Sequence, residues 1–501
     1  MKGIGTVSTR YGRMSGVEEN GITCFKGVPY AMPPVGELRW RAPLPPSAWE
    51  GVRECDAFSA IAWQLPGQCG QKALDTYPQS EDCLYLNIWT PARSPEERLP
   101  VLVWIHGGAF LGGLGQEELY HGWKMAAKGV IVVSINYRLG VLGYLAHPQL
   151  TEEAGTSGNY GLLDQIQALT WVKENIRSFG GDPNRITVDG QSAGGMSVCS
   201  LLASPLTHGL LSGAIIQSGG PQPGRGESLA VCERAGMLVQ EALSARDIAA
   251  MRRIDPAALI RVSVPGYAGR LPFQPCVDGK VLPCTPYEAF LTGRISKVPI
   301  LFGCNAGEGL FAPRGATPET YASAVENFLG EEYREFCRLY PITSENFKEV
   351  SLEAGRDQGY ANLRVVAGRL AAGHPCPVYF YYFMQGVEME DGTKLPAGHS
   401  GELFYVFDTL HCLGGSTVDG KTWTPVLRRE NYVLSDTMCG FWAAFAEKGT
   451  PEKPGLPDWP AYTPETDVSM HFEAGNIRAQ ASAYPERIDF FTRVLEKKAG
   501  L

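Results

Sequence analysis

The chain has 501 residues, of which 44% are hydrophobic and 19% are charged, a composition typical of a globular protein with a large core. Its 44 basic and 53 acidic residues give a formal net charge of -9. An acidic chain without a basic block gives no support for binding to nucleic acid or to an anionic membrane surface.

The N-terminal sequence bears on localisation. Residues 1–21, MKGIGTVSTRYGRMSGVEENG, lack the apolar core of a secretory signal. No window of the sequence approaches the roughly 18 apolar residues that a membrane span needs. We therefore expect a cytoplasmic protein without a membrane span, although a secreted mature chain would show the same features.

The 13 cysteines are scattered, odd in number and without a C-x-x-C pair. This pattern fits neither a disulfide framework nor a zinc site, so no metal is predicted. Most of the cysteines are expected to be small buried apolar residues. Cys69 and Cys83 are spaced so that they could close a short loop, but a reducing cytosol would oppose that bond.

Six apolar runs predict buried strands. They are rich in β-branched or aromatic residues and nearly continuous rather than alternating, as strands covered on both faces require. The runs are PVLVWI (100–105), GVIVVSI (129–135), RITVDG (185–190), GAIIQSG (213–219), VPILFG (298–303) and PVYFYYF (377–383).

Helical patterns lie among these strands. Residues 162–181 carry apolar side chains at spacings of three and four and close on Gly180 and Gly181, a helix-stop signal. Residues 435–449 begin with Ser435, a candidate N-cap, and end in glycine. Alternating strands and helices predict an α/β fold with a mostly parallel sheet covered by helices on both faces. Active sites on such sheets lie at the carboxyl ends of the strands.

Ser192 lies between Gly190 and Gly194 in RITVDGQSAGGMSVCSLL (185–202), where a predicted strand runs directly into a predicted helix. So sharp a turn needs small neighbours, because a Cβ at the glycine positions would collide with the adjoining strand and helix. The pattern is the G-x-S-x-G nucleophile elbow, which exposes a serine beside a helix N-terminus. The alternative is a Gly-rich turn whose serine merely caps the helix. The order of strand, turn and helix favours the elbow.

A serine nucleophile needs a base, and the base needs an acid to orient it. In this fold the chain order is serine, acid, histidine. That order leaves five candidate bases, His208, His374, His399, His411 and His471. His399 is favoured, because it follows the PVYFYYF strand in a loop of small residues. Glu308 is favoured as the acid, because it follows the VPILFG strand at a turn bracketed by glycines. The alternative for each is an ordinary surface or core role.

A second Gly-rich turn, HGGAF (106–110), follows the strand VLVWI. Such a turn can direct consecutive backbone N–H groups at one point. Acyl transfer requires such donors, because its transition state places negative charge on the carbonyl oxygen. The turn is therefore a candidate oxyanion hole, with an ordinary Gly-Gly turn as the alternative.

The chain resembles the type-B carboxylesterase/lipase family, the cholinesterase-like α/β-hydrolases, and within it the bacterial p-nitrobenzyl esterase type. The resemblance runs from near residue 3 to at least residue 460. It is carried by FKGVPYAMPPVGELRWRAP (25–43), SEDCLYLNIWTP (80–91), VWIHGGAF (103–110), NYRLGVLGYL (136–145), GNYGLLDQIQALTWVKENIRSFGGDPNRITV (158–188), GQSAGG (190–195), GCNAGEG (303–309) and GHSGELFYVF (398–407).

This resemblance implies an α/β-hydrolase fold in a single domain, 1–501, with cap-forming insertions expected within 220–275 and 310–375. It implies a Ser–Glu–His triad and no cofactor. The implied site residues are the nucleophile Ser192, the acid Glu308, the base His399 and the oxyanion donors Gly108, Ala109 and Ala193.

The chain departs from the family pattern near the serine. Gln191 replaces the usual Glu, Asp189 replaces a common Phe, and the segment GQKALDTYPQSED lacks the cholinesterase Trp. Without that carboxylate and that cation–π face, a quaternary-ammonium substrate is not expected. The predicted function is a serine carboxylesterase acting on a small-molecule ester. The alternatives are a feruloyl or other aryl-ester hydrolase, an amidase or acyltransferase, and a neuroligin-like adhesion or scaffold protein, which the complete triad disfavours.

Overall fold

The computed structural model describes residues 3–66, 71–262, 273–308, 317–414, 417–418, 421–422, 424–482 and 484–500. They form two compact units. The first consists of Met1–Ile300 and Cys439–Lys453, and the second of Leu301–Met438 and Pro454–Leu501. The single domain with insertions within 220–275 and 310–375 stays a prediction.

The strands are numbered here in chain order. They are β1 (Thr6–Thr9), β2 (Gly12–Ser15), β3 (Val17–Glu19), β4 (Ile22–Pro29), β5 (Val52–Glu54), β6 (Tyr85–Thr90), β7 (Leu99–Ile105), β8 (Ile131–Ile135), β9 (Gly181–Gln191), β10 (Gly213–Gln217), β11 (Ile300–Asn305), β12 (Val378–Phe383), β13 (Val387–Glu388), β14 (Lys394–Leu395), β15 (Thr417–Val418), β16 (Lys421–Thr422), β17 (Val468–Glu473) and β18 (Asn476–Ala481).

The helices are numbered in the same way. They are α1 (Gln71–Thr76), α2 (Trp123–Ala126), α3 (Gly140–Tyr144), α4 (Pro148–Ala154), α5 (Tyr160–Asn175), α6 (Ala193–Ala203), α7 (Leu229–Ala242), α8 (Ile248–Met251), α9 (Pro256–Arg261), α10 (Pro286–Leu291), α11 (Pro318–Leu329), α12 (Tyr333–Leu339), α13 (Phe347–Gly373), α14 (Leu403–Val406), α15 (Arg429–Lys448) and α16 (Pro485–Ala499). No helix in the described part of the chain is long and apolar enough to cross a membrane.

Seven strands of the first unit lie side by side in the order β10-β9-β7-β8-β6-β4-β3. From β10 to β8 the neighbours run parallel, whereas β6, β4 and β3 are antiparallel to theirs. Every residue of β8 and β10 is buried. Because successive side chains of a strand point to opposite faces, this burial means that both faces are covered. The helices α2, α5 and α6 contact these strands.

Four strands of the second unit lie in the order β18-β17-β12-β11. β12 runs parallel to β17, and β18 is antiparallel to β17. All six residues of β12 are buried, and Tyr360 of α13 packs on the rings of Phe380 and Tyr382. The aromatic run VYFYYF is therefore a core strand.

The six predicted strands are confirmed as β7 to β12. The first predicted helix is confirmed as α5, which continues into a 3-10 turn over Ile176–Phe179 and stops at Gly180, where φ is +84°. The N-cap prediction for Ser435 is wrong, because α15 begins at Arg429. At the start of the helix, Asn431 Oδ1 accepts the N–H of Arg428. Ser435 lies within the helix, and its hydroxyl donates to Asp408 Oδ1 at 2.7 Å.

Candidate active site

Ser192 alone forms the turn between a strand and a helix. β9 ends at Gln191 and α6 begins at Ala193, as the elbow pattern predicts. The serine has φ 57° and ψ −123°, a conformation that non-glycine residues rarely adopt. Two backbone bonds hold it: its N–H donates to Gln217 O, and its carbonyl accepts from Met196 N, each at 2.9 Å. Strain of this kind is typical of functional turns and is maintained by the surrounding fold.

The glycines beside Ser192 are required by close backbone contacts. A Cβ on Gly190 would lie 2.5 Å from the carbonyl carbon and oxygen of Gly194, and a Cβ on Gly194 would lie 2.0 Å from Ile105 O. Real Cβ atoms do not approach backbone so closely. The predicted steric reason for these glycines is thus confirmed.

Gly194→Ala is expected to destabilise the fold by at least about 1–3 kcal/mol, because backbone rather than a flexible side chain occupies the space of the new methyl group. The measurement is the free energy of unfolding in urea. The control is Gly359→Ala in α13, where no described atom lies within 4 Å of the added Cβ. We expect the control to be neutral or slightly stabilising. Equal stability of the two variants would contradict the packing described here.

The predicted oxyanion loop lies against the serine turn. A Cβ on Gly107 would lie 2.8 Å from Gln191 O and 3.0 Å from the Cβ of Ser192. Gly108 and Ala109 have φ angles of +108° and +56°. The left-handed conformation folds the backbone into a tight turn, in which the N–H groups of Leu111 and Gly112 donate to Gly108 O.

The base of this loop is fixed by buried side chains. Tyr137 donates its hydroxyl proton to His106 O at 2.9 Å, and its ring stacks on the His106 imidazole at 4.5 Å between centroids. Burial lowers the pKa of His106 to about 4, so the imidazole is neutral at physiological pH. His106 therefore supports the loop as an uncharged residue.

Glu308 and His399 are in contact in the second unit. His399 Nδ1 lies 3.0 Å from Glu308 Oε1. The carboxylate follows β11 by three residues, and the imidazole lies in the loop between β14 and α14. Two hydrogen bonds connect these segments, from Gly307 N to Ala397 O at 2.7 Å and from Asn305 Nδ2 to Gly398 O at 2.8 Å. The structure thus brings together the predicted acid and the predicted base.

The environment of His399 raises its pKa. Partial burial lowers the value, but the hydrogen bond to Glu308 and the charges of Glu308 and Glu402 outweigh that effect. The side chain of His399 is 45% exposed, whereas that of Glu308 is 13% exposed. An imidazole with one nitrogen held by a partly buried carboxylate and an accessible ring has the arrangement of a general base.

Comparison with known proteins identifies the family. The model of the carboxylesterase family matches residues 5–340 and 342–491. The chain belongs to the carboxylesterase family. It is 38% identical over 482 residues to the para-nitrobenzyl esterase of Bacillus subtilis (strain 168), covering 93% of this chain and 94% of that protein. It is 37% identical over 474 residues to the Fumonisin B1 esterase of Sphingopyxis macrogoltabida, covering 91% and 84%.

Solved structures agree with this assignment. A PNB esterase structure has a TM-score of 0.80 at 34% identity, covering 97% of this chain and 99% of that chain. The Geobacillus stearothermophilus carboxylesterase gives the same TM-score and coverage at 33% identity. The predicted family, the α/β-hydrolase fold class and the function of a serine carboxylesterase are confirmed.

Sequence reasoning missed one buried acid of this carboxylesterase. Glu402 lies three residues after His399, its side chain is fully buried, and Asn305 Nδ2 donates to its Oε2. Burial and the nearby charge of Glu308 raise its pKa to about 7. Chain order does not point to Glu402, because that order places the triad acid before the histidine. The sequence signal that could have identified Glu402 is an acidic residue within the segment GHSGELF, close to the candidate base His399.

The other candidate bases occupy different positions. His471 lies in β17, bonded to Ser469 and Gln480, and burial lowers its pKa to about 4. His374 is the C-cap residue directly after α13, and His208 is the C-cap residue directly after the short 3-10 turn Pro205–Thr207. His411 lies in the 3-10 turn Leu410–Cys412. Among the five histidines, the contact with Glu308 favours His399 as the base. Of the cysteines proposed as a pair, Cys83 is buried and Cys69 lies outside the described residues.

Proposed function

We propose that the chain hydrolyses small carboxylic esters through an acyl-enzyme on Ser192, with His399 as the base and Glu308 as the acid. The observation that carries this assignment is the 3.0 Å contact between His399 Nδ1 and Glu308 Oε1. A carboxylate at that nitrogen retains the proton on Nδ1, which leaves Nε2 as an acceptor. The strained turn at Ser192 supports its role as the nucleophile.

In the proposed reaction His399 Nε2 takes the proton of the Ser192 hydroxyl as the oxygen attacks the ester carbonyl. The N–H groups of Gly108, Ala109 and Ala193 stabilise the oxyanion of the tetrahedral intermediate. The imidazolium then gives its proton to the leaving alcohol, and water repeats the sequence on the acyl-enzyme. Glu308 orients the imidazole and offsets its positive charge. These steps need no metal or cofactor. Separately, we propose that the protein is located in the cytoplasm.

Covalent labelling tests the nucleophile. A fluorophosphonate is expected to add one phosphonyl group to the native enzyme, and peptide mass spectrometry should find it on Ser192. Turnover of para-nitrophenyl butyrate is measured in parallel. The fraction of this activity that is lost should equal the fraction of enzyme that is labelled. Modification of a different residue, with ester turnover retained, would overturn the assignment of Ser192.

The acid side of the pH profile should report His399. Protonated imidazole cannot accept the serine proton, so kcat/KM is expected to fall as the pH drops through its pKa, which Glu308 and Glu402 hold above the ordinary value of about 6.5. Glu402, with a pKa of about 7, titrates in the same pH range as His399. The acid limb of the profile therefore reports the titration of these two interacting groups together.

Glu402→Gln is expected to move this acid limb to lower pH, because the amide no longer stabilises the imidazolium by its charge. The measurement is kcat/KM for para-nitrophenyl butyrate from pH 5 to 9. A merely structural role for Glu402 would lower the whole profile without displacing the limb.

A narrower specificity for feruloyl or other aryl esters is the alternative within this chemistry. Gln191 beside the nucleophile is neutral, and the absence of a charge there permits an aromatic substrate. A panel with varied acyl and alcohol groups, including methyl ferulate and a matched anilide, distinguishes an esterase from an aryl-ester hydrolase and from an amidase.

A further inference from the structure

The loop that carries two of the proposed oxyanion donors doubles back on itself over residues 106–113. A Cβ on Gly108 would lie 2.2 Å from Gly112 O. A Cβ on Gly113 would lie 2.3 Å from His106 Nδ1 and 2.5 Å from Gly107 O. The outgoing limb of the loop is therefore in direct contact with the returning limb. Because Gly108 packs on the returning limb, the direction of its N–H group depends on where that limb is held.

Gln64 holds the returning limb through Gly113. Its Oε1 accepts the N–H of Gly113 at 2.8 Å, and its Nε2 donates to Gly113 O at 3.1 Å. One carboxamide thereby binds both backbone groups of a single residue. Gln64 is 2% exposed, and Nε2 also donates to Ala62 O at 3.1 Å. Displacement of Gly113 is costly, because it leaves buried donors and acceptors without partners.

The segment that carries Gln64 is itself anchored. The backbone N–H of Gln64 donates to Gln79 Oε1 at 2.8 Å. Ile61, three residues earlier, exchanges two backbone hydrogen bonds with the segment 78–80, each at 2.9 Å. The carboxamide of Gln64 is therefore fixed from a part of the chain outside the loop, and Gly113 is bound to that fixed group.

We propose that Gln64 is a positioning residue of the esterase reaction, which acts through Gly113 to direct the N–H groups of Gly108 and Ala109 at the oxyanion. The proposal rests on the proposed function and deepens it. Ala109 has φ +56°, a strained conformation for a residue with a side chain. Such strain persists only where the surrounding structure maintains it, so a loop released at Gly113 can relax away from the oxyanion.

Gln64→Met tests the proposal, because methionine has nearly the length of glutamine but neither of its hydrogen bonds to Gly113. We expect kcat for para-nitrophenyl butyrate to fall about tenfold to a hundredfold, the scale of a misplacement of about 1 Å at a reacting centre. KM should stay within about twofold, since acylation and deacylation both pass through an oxyanion and slow together. The value of kcat is taken per active site, counted by complete fluorophosphonate labelling.

A transition-state analogue reports the oxyanion directly. In trifluoromethyl pentyl ketone the Ser192 oxygen adds to the carbonyl carbon, the hydroxyl proton passes to His399, and the carbonyl oxygen becomes an oxyanion. We expect the Ki of this ketone for Gln64→Met to rise by about the factor by which kcat falls, because the same N–H groups stabilise both species. A fall in kcat with an unchanged Ki would overturn the proposal.

Asn175→Leu is the matched control. Asn175 is also a buried carboxamide with two backbone partners: its Oδ1 accepts from Arg10 N at 2.9 Å, and its Nδ2 donates to Trp171 O at 2.8 Å. It lies at the end of α5, which leads into the start of β9, whereas Ser192 follows the end of that strand. We expect both variants to lose stability in urea, but only Gln64→Met to lose kcat and affinity for the ketone.

Equal kcat and Ki in Gln64→Met and Asn175→Leu would overturn the proposal, because Gln64 would then contribute stability alone. If Gln64→Met does not fold, Gln64→Asn replaces it. This variant keeps a carboxamide but is one methylene shorter, so it cannot reach Gly113 as the native side chain does. The same changes in kcat and Ki are expected of it, and native values would overturn the proposal.

Failure of this inference is distinct from failure of the proposed function. Ester hydrolysis and labelling of Ser192 in the native enzyme, with native kcat and Ki in the Gln64 variants, remove the positioning role and leave the esterase mechanism. Absence of both hydrolysis and labelling in the native enzyme removes the mechanism, and the role of Gln64 fails with it.

Discussion

Ser192→Ala is expected to retain the fold and to lose about 10⁵–10⁶ in kcat, the scale found when a triad nucleophile is removed from a serine hydrolase. Without the hydroxyl, the acyl-enzyme cannot form, and only the oxyanion donors and substrate binding remain to accelerate attack by water. The variant also removes fluorophosphonate labelling. The measurement is turnover of para-nitrophenyl butyrate under saturating substrate.

The fold control for this variant is its unfolding midpoint in urea. Ala at position 192 must still adopt φ near 57°, so a modest loss of stability is compatible with the prediction. Ser212→Ala, a half-buried serine directly before β10, controls for loss of a hydroxyl and should retain full turnover. Native-like turnover by a folded Ser192→Ala would reject Ser192 as the nucleophile.

The sequence predicts the strands near the site well because their burial is complete. β8, β10, β11 and β12 are buried along their whole length and appear as continuous apolar runs, since both faces of each strand are covered, whereas β9 is fully buried only over its second half. The turn at Ser192 is predictable for a related reason. Its requirements are local, and they are met by Gly190 and Gly194 within five residues of sequence.

The long helix α13 was not predictable from periodicity. In α13 the consecutive residues 360–363 are all buried, so the helix has no continuous polar face there. Small residues in the same helix weaken the apolar signal further. An amphipathic pattern depends on one exposed face, and tertiary packing around α13 removes it.

The acid and the base illustrate a different limit. Glu308 and His399 are separated by 91 positions, and their contact depends on two backbone segments that the Gly307 and Asn305 hydrogen bonds hold together. Local sequence identifies each as a polar residue after a strand but gives no distance between them. Chain order alone does not reveal Glu402, because this residue influences the pKa of His399 through its nearby charge and not through its position in a motif.

Glu308→Gln is expected to lower kcat by about 10⁴ with little change in the fold, as replacement of a triad carboxylate by an amide does elsewhere. The carboxylate accepts the Nδ1 proton of His399, which keeps Nε2 free to take a proton. A glutamine can instead donate its amide N–H to Nδ1, which stabilises the tautomer whose Nε2 already carries hydrogen. The loss of negative charge also destabilises the imidazolium that forms during attack.

The pH profile separates this effect from simple misfolding. Since the hydrogen bond and charge of Glu308 raise the pKa of His399, the residual activity of Glu308→Gln should have its acid limb at lower pH than the native enzyme. Glu465→Gln, an exposed acid in the same unit, controls for loss of a charge and should alter neither kcat nor the limb. If Glu308→Gln remained as active as Glu465→Gln, the 3.0 Å contact would be structural, and the acid would have to be sought elsewhere, first at Glu402.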